Sequence, residues 1–522
     1  MREKKITYTS LSADESVHHD FETALEKVAE ELGKRHPLKI NGMSVYAKNE
    51  FNVYSAIDTS LLIGRFQEGE NLHVGAAINA ARKAFSSWSS YEWQRRTGIV
   101  RKTADILEER LFPLAAIVTT EVGKNRSESI AEITEAIDML RYHADVYEKN
   151  QGFVLPMQPD PEGGTSRSVM RPYGVWVVIS PFNFPISLAA GMISAALLTG
   201  NTVVMKPTSK APLSGLHLYH AFLDGGVPAE TIQFLTGPGE SFGSLVVKNS
   251  DVAGIAFTGS QDAGMWLYRN FLREQRYPKP LIAEMGSKNP AIVTRHADLR
   301  KAAEGIIHSA FGYCGQKCSA TSRVYVHTSV ADEFLKNLLQ KAEAIAVGDP
   351  RKKDVFMGPV IDEKAHDTFV MAVKTCEESG GKVAYGGRVL KDKEHSAGFY
   401  VQPTVVTGLP PDHPLLSKEL FVPFLIVCTF DNLQDALIQA NATDYGLTAG
   451  MYTENNEERE YFFSHIQSGV CYANREGGAT TGAWPGSQPF GGWKTSGSTG
   501  KGIGGPYYLL SYVREQAQTR IE

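Results

Sequence analysis

The chain has 522 residues, 42% of them hydrophobic and 10% aromatic, enough for roughly two to four packed domains and too much for one small binding module. Its formal charge of −5 excludes a whole-chain basic field for nucleic acid or an anionic membrane surface. Five cysteines are too few and too odd in number for a disulfide framework, so a reducing compartment is expected, with a cytoplasmic location.

In chain order, Met1 to Asp20 mixes Arg2, Lys4 and Lys5 with Glu3, Asp14 and Glu15 and has no apolar stretch, which argues against a secretory signal. The part up to about Tyr147 reads as mostly helical, with Ile130, Ile133, Ile137 and Leu140 on one face. Gln151 to Ser168, rich in Pro and Gly, reads as a connection or hairpin. Pro172 to Met205 carries no charge and is long enough for a membrane span. Pro181, Asn183, Pro185, Asn201 and Thr202 interrupt it, so it reads instead as strand, turn, buried helix, turn and strand.

From Val175 the chain alternates strands (175–180, 202–205, 232–235, 254–258, 281–283) with helices (185–198, 213–223, 241–248, 262–272), the rhythm of a parallel, doubly wound sheet. A second α/β unit follows, with strands at 291–294, 322–327 and 424–430 and helices at 334–346 and 433–441. Gly477 to Gly505 holds 11 glycines in 29 residues, so this backbone turns sharply, lies close to something, or forms a loose surface loop.

Cys318 stands in Gly315-Gln316-Lys317-Cys318-Ser319, where the neighbouring Lys317 cation would favour thiolate; the alternative is a small buried hydrophobe. Cys314 lies one turn earlier if the segment is helical. No second cysteine pair or nearby histidine cluster accompanies them, so no metal site is expected. Glu284 ends the apolar Leu281-Ile282-Ala283 run, the placement of a carboxylate at a strand's carboxyl edge, where ligands gather in open α/β sheets; the alternative is a solvated loop glutamate. Asn183 follows another strand and reads either as an oxyanion donor or as the cap of a helix begun by Pro185. Phe257-Thr258-Gly259-Ser260 runs from strand to helix and suits a pyrophosphate at a helix N-terminus, although it lacks the GxGxxG fingerprint. Gly237, Gly239 and Gly243 precede another helix, and Lys206-Pro207 follows a strand.

Together these segments, with Pro181-Phe182-Asn183-Phe184-Pro185, Glu419-Leu420-Phe421 and Pro489-Phe490-Gly491-Gly492, resemble the aldehyde dehydrogenase superfamily in content and order from about Asn41 to about Gly497. The resemblance implies an α/β fold of three parts. These are a Rossmann-type dinucleotide-binding domain (1–150 and 173–284), an α/β catalytic domain (285–482), and a small β bridging or oligomerisation element (151–172 and 503–522). It implies Cys318 as nucleophile, Glu284 as general base and Asn183 as oxyanion donor together with the Cys318 backbone N–H. It also implies cofactor contacts from Ser180, Pro181, Phe182, Lys206, Ser209, Gly239, Gly243, Gly259, Ser260, Glu419 and Phe421.

Lys317-Cys318-Ser319 with Thr481-Gly482-Ala483 is similar to the subgroup that oxidises glutamate 5-semialdehyde, the open form of 1-pyrroline-5-carboxylate, to glutamate. There Ser319 and the Gly482 and Ala483 backbone would hold the substrate's α-carboxylate, with Phe184 and Phe490 packing on its carbon chain. Alternatives are an enzyme for another aldehyde, such as succinate semialdehyde or a broad aliphatic one, and a catalytically silent dinucleotide-binding protein on the same fold. Ser209 stands where many NAD-preferring members carry glutamate, so the expected cofactors are NAD and also NADP. Val422 replaces a frequent glycine, which leaves the backbone beside Phe421 open. Cys314 raises a regulatory disulfide. The expected partners are a small-molecule aldehyde and further copies of the chain, as a dimer or higher homo-oligomer, with no nucleic acid and no membrane.

Overall fold

Two seven-stranded sheets carry the molecule in a computed structural model that describes residues 15–478 and 484–521. The first sheet runs in the order Leu281–Glu284, Val252–Thr258, Val175–Ile179, Thr202–Lys206, Ile232–Phe234, Leu38–Ile40, Met43–Val45; the first five strands are parallel and the last two pairings antiparallel. Strands Val175–Ile179 and Thr202–Lys206 are almost continuously apolar because both faces of a parallel sheet are covered by helices. Succession along the chain moves outward from Val175–Ile179 in one direction and resumes at Val252–Thr258 on its other side. The crevice at the carboxyl ends of these two strands is therefore the topological switch point, the place where open α/β sheets bind ligands.

The second sheet runs Lys382–Tyr385, Thr404–Thr407, Phe424–Phe430, Thr321–His327, Asn289–Val293, Thr448–Tyr452, Val470–Ala473, parallel except at its first edge strand. A third sheet joins Val154–Pro156 and Thr165–Pro172 to the far C-terminal strand Val513–Arg520 in antiparallel register. Its two segments are those assigned above to the bridging element.

Helix Ser187–Leu198 lies at the centre, with all twelve residues buried. Its small side chains permit close approach: a Cβ at Gly191 would collide with Met139 of the long helix Arg126–Lys149. A helix buried at both ends needs partners for its end groups. At the start, Glu132 Oε1 accepts from the Ile186 and Ser187 N–H groups at 2.9 and 3.3 Å. At the end, Trp88 Nε1 and Arg96 Nε donate to the Leu197 and Leu198 carbonyls at 3.1 and 2.9 Å. The uncharged stretch 172–205 is thus two strands and a core helix, and among the described residues no helix is long and apolar enough to cross a membrane.

The N-terminal part is mostly helical, as read, with short strands that the reading did not include. Helices Glu15–Ala29, Asn71–Ser89, Trp93–Glu109, Leu111–Val122 and Arg126–Lys149 are present, but five strands lie between residues 35 and 67. They are two to six residues long, too short for alternation to stand out, and two of them extend the first sheet at its edge.

Candidate active site

Cys318 sits in a tight turn between Gly312–Gly315 and strand Thr321–His327. The approach is strained: Tyr313, Cys314 and Gly315 have φ of 47, 58 and 64° in succession, and two non-glycine residues in the left-handed region persist only where surroundings impose it. A Cβ at Gly315 would stand 2.7 Å from the Val422 carbonyl and 2.9 Å from that of Ala310, so only glycine fits. Asn289 Nδ2 donates to the Cys318 and Ala320 carbonyls at 2.7 and 2.9 Å. Gln316, fully buried, donates through Nε2 to the Tyr313 and Pro359 carbonyls and accepts from the Ile361 N–H at 2.8 Å. Sequence reasoning missed Asn289 as part of the site; its place one strand away from the turn is a tertiary fact.

Two expectations about this turn are corrected. Lys317 does not lend its charge freely to Cys318, because its ammonium is buried in an ion pair with Glu128. Burial first, then the Glu419, Glu284 and Glu135 carboxylates, holds the Cys318 thiol well above its ordinary value. Cys314 is not one helical turn from Cys318 and forms no disulfide: all five cysteines are free, and the Cys314 thiol donates to the Gly358 carbonyl at 2.9 Å. It packs in the core of the second sheet, while Cys318 packs against that of the first.

Glu284 is the last residue of strand Leu281–Glu284. The glycine-rich segment lies along this strand: Ser498 N–H donates to the Ala283 carbonyl at 3.0 Å, and Met285 N–H donates to that of Ser496 at 2.8 Å. Close approach to other backbone is thus one use of those glycines. Gly492 N–H donates to Glu284 Oε2 at 2.9 Å, while Oε1 is buried with no hydrogen-bond partner. Burial raises the carboxyl to about 8, as expected where the charged form loses its water. Glu284 and Cys318 line one small cavity with Met192, Thr258 and Phe490, of about 20 Å³, room for roughly one water.

Asn183 is 3% exposed and donates through Nδ2 to the Gln316 carbonyl at 3.1 Å, two residues before Cys318. It does not cap the following helix, which begins at Ser187 and draws its capping acceptor from Glu132. The Phe182 ring meets Phe421 edge-on at 5.9 Å. Phe421 itself takes the left-handed φ of 59°, and Val422 beside it is buried, so the turn forms without the missing glycine. Ser287 N–H donates to Glu419 Oε1 at 2.7 Å, and a Cβ at Gly286 would collide with the same carboxylate. Burial raises Glu419 to about 7.

The switch-point crevice suits a dinucleotide. Ser180, directly after strand Val175–Ile179, carries a buried hydroxyl with no partner, followed by Pro181 and Phe182. Across the crevice, Gly259 admits no Cβ because the Phe257 ring lies 2.5 Å away, and Ser260 caps helix Gln261–Glu274 by accepting from Ala263 N–H. Gly239 opens helix Gly239–Lys248 with nothing within 4 Å of a Cβ, and Gly243 packs on Trp266. Lys206 is 3% exposed, its ammonium is lowered by burial to about 8 and donates to the Pro207 carbonyl at 3.0 Å; Ser209 is exposed.

Ser319 is 1% exposed, and its carbonyl accepts from Thr448 Oγ1 at 3.1 Å; it stands before a strand, so it caps no helix. Phe184 is buried with the Lys124 ammonium 3.8 Å from its ring centre. Gly482 and Ala483 lie outside the described residues.

Residues 45–517 match the model of the aldehyde dehydrogenase family. The chain belongs to this family. Among its relatives, the 1-pyrroline-5-carboxylate dehydrogenase 1 of Halalkalibacterium halodurans is 37% identical over 506 residues, covering 96% of each chain. The 1-pyrroline-5-carboxylate dehydrogenase 2 of Bacillus subtilis is 34% identical over the same length and share. A Thermus 1-pyrroline-5-carboxylate dehydrogenase solved with bound NAD superposes with a TM-score of 0.93 at 32% identity, covering 100% of this chain and 99% of that one. A betaine aldehyde dehydrogenase from Staphylococcus aureus in complex with NAD+ gives 0.89 at 27% identity, covering 96% and 97%. The α/β fold of the family, with its Rossmann-like parallel sheets, is the one described above.

Proposed function

We propose that this chain oxidises L-glutamate 5-semialdehyde, in equilibrium with 1-pyrroline-5-carboxylate, to L-glutamate with NAD. The observation that carries the reading is the meeting of Cys318 and Glu284 in one cavity, in a chain matched over almost its whole length by 1-pyrroline-5-carboxylate dehydrogenases. The first sheet with the preceding helices (1–150 and 173–284) is the dinucleotide-binding domain, 285–482 the catalytic domain, and 151–172 with 503–522 the bridging element. Leu155, Met157 and Ile521, exposed at 53, 56 and 54% in or beside that element, support its role in a homo-oligomer. Five free cysteines support a reducing, cytoplasmic setting.

Cys318 attacks the aldehyde carbon as thiolate, and the resulting alkoxide is held by the Asn183 amide and the Cys318 N–H. When bound, NAD supplies the hydride acceptor and a positively charged ring. Ser180, Pro181, Phe182, Lys206, Ser209, Gly239, Gly243, Gly259 and Ser260 would hold it, with Glu419 and Phe421 at its ribose end. Glu284 Oε1 then takes a proton from the water that releases the thioester as glutamate.

Initial rates with glutamate semialdehyde, succinate semialdehyde and hexanal test the substrate assignment. Charge-assisted hydrogen bonds are worth about 1.5 to 3 kcal/mol each, so a matching carboxylate should favour the first over hexanal by several orders of magnitude if Ser319, Gly482 and Ala483 clamp it. Ser319→Ala should raise KM for glutamate semialdehyde and matter little for hexanal. Equal effects on both would mean that Ser319 supports only the nucleophile turn.

Cofactor range has its own expected result. A glutamate at position 209 would repel a 2′-phosphate, whereas Ser209 offers a hydroxyl donor at an exposed site. NADP should therefore be used alongside NAD, and Ser209→Glu should selectively remove its use. A wild-type preference for NAD above roughly a thousandfold in kcat/KM, about 4 kcal/mol, would contradict the serine's assigned role.

A further inference from the structure

Helix Arg126–Lys149 buries three of its glutamates, 128, 132 and 135. Buried carboxylates on a helix flank need an explanation, because each loses hydration on folding. Two of the three reach directly to the turns that carry the chemistry. Glu128 pairs with the buried ammonium of Lys317, the residue before Cys318, and is itself fixed by Asn125, whose Oδ1 caps the helix at Glu128 N–H (2.9 Å) and whose Nδ2 donates to Phe356 O (2.7 Å). The fit is tight enough that a Cβ at Gly312 would stand 2.6 Å from the Lys317 nitrogen and 2.9 Å from Glu128 Oε1.

Glu132, one helical turn on, accepts from Ile186 and Ser187 N–H, three and four residues after Asn183. Its other oxygen pairs with Lys124, which lies over the Phe184 and Tyr313 rings at 3.8 and 4.9 Å. Residues at i and i+4 share a face of a helix, so one rigid rod sets both attachments.

We propose that Glu128, through Lys317, and Glu132, through the Ile186 and Ser187 N–H groups, are positioning residues that fix the spacing between the nucleophile turn and the oxyanion turn. The inference rests on the assignment of Cys318 and Asn183 above. It explains why Lys317 is spent on an ion pair instead of on the thiol. The charged groups facing Cys318 are then Glu419, Glu284 and Glu135, together with the Lys317 end of the pair.

A buried ion pair is destabilised when one member is removed, but replacing both can be neutral. That separates positioning from stability. Glu128→Gln and Lys317→Met should each lower the melting temperature and reduce the single-turnover rate of NADH formation by about a hundredfold, the cost of roughly an ångström of misplacement, with KM little changed. The Glu128→Gln/Lys317→Met double variant should recover the melting temperature yet stay as slow as the single variants, because the tether is still missing.

The Glu132→Leu/Lys124→Met variant should also slow NADH formation but leave the alkylation rate of Cys318 by iodoacetamide at the wild-type value, since it acts on the oxyanion turn. Recovery of rate together with melting temperature in the first double variant would overturn the proposal, as would an altered alkylation rate in the second. NADH formation surviving in Cys318→Ala would instead overturn the functional reading. Loss in Cys318→Ala with wild-type rates in both double variants would overturn the tether alone.

Discussion

Cys318→Ala is expected to lose aldehyde oxidation by roughly four orders of magnitude or more, while Cys314→Ala keeps activity close to the wild type. Removing a covalent nucleophile removes the whole thioester route, and no neighbour can substitute. Cys314 is four residues away in sequence, but the left-handed turn at Tyr313 and Cys314 aims its thiol at the Gly358 carbonyl and buries it in the other core. Cys314 is 1% exposed and does not line the cavity shared by Cys318 and Glu284, so it is out of reach of a substrate bound there. Steady-state NADH production by the two variants, with NAD and glutamate semialdehyde, checks the assignment; a dead Cys314 variant beside an active Cys318 variant would reverse it.

The same turn shows what could be read in the sequence and what could not. Glu284 at a strand end and Asn183 after a strand followed from apolar runs with β-branched residues, because a parallel sheet announces itself by short buried strands at helix-length spacing. The nucleophile was legible as a motif, yet its electrostatics were not. Lys317 looked like a free cation beside a thiol, and only the tertiary fold brings Glu128, nearly two hundred residues earlier, into contact with it.

Helix Arg126–Lys149 makes the point again. Ile130, Ile133, Ile137 and Leu140 mark one face correctly as core. Its glutamates would ordinarily be assigned to water, and periodicity gives no sign that Glu128 and Glu132 face inward. Short strands between residues 35 and 67 escaped for a different reason: runs of two to six residues are too brief for a period of two to be counted. The third sheet depends on a pairing between Thr165–Pro172 and Val513–Arg520, a separation over which local pattern carries no register information.

For Glu284→Gln the expected result is a change in which step limits turnover. The amide keeps the shape of the side chain and one acceptor oxygen for the Gly492 N–H, but it cannot take a proton from water. Thioester formation should survive and hydrolysis should slow by about a hundredfold to ten-thousandfold, the usual worth of a general base. Rapid mixing should then show a burst of NADH equal to the active-site concentration, followed by a slow steady state.

The pH dependence separates this role from that of the thiol. Burial raises Glu284 to about 8, so below that pH the carboxyl is mostly protonated in the folded enzyme and cannot act as a base; hydrolysis should rise with pH up to about 8 and level off above it. Cys318 is also raised by burial, so the burst rate should climb with pH as well, on its own limb. In Glu284→Gln the limb near 8 should vanish from the slow phase, while the burst still climbs with pH, on a limb moved to lower pH by loss of the Glu284 charge beside Cys318. A slow phase that still rises through pH 8 in the variant would assign that proton to another group, and multiple turnovers at the wild-type rate would remove Glu284 from the hydrolytic step.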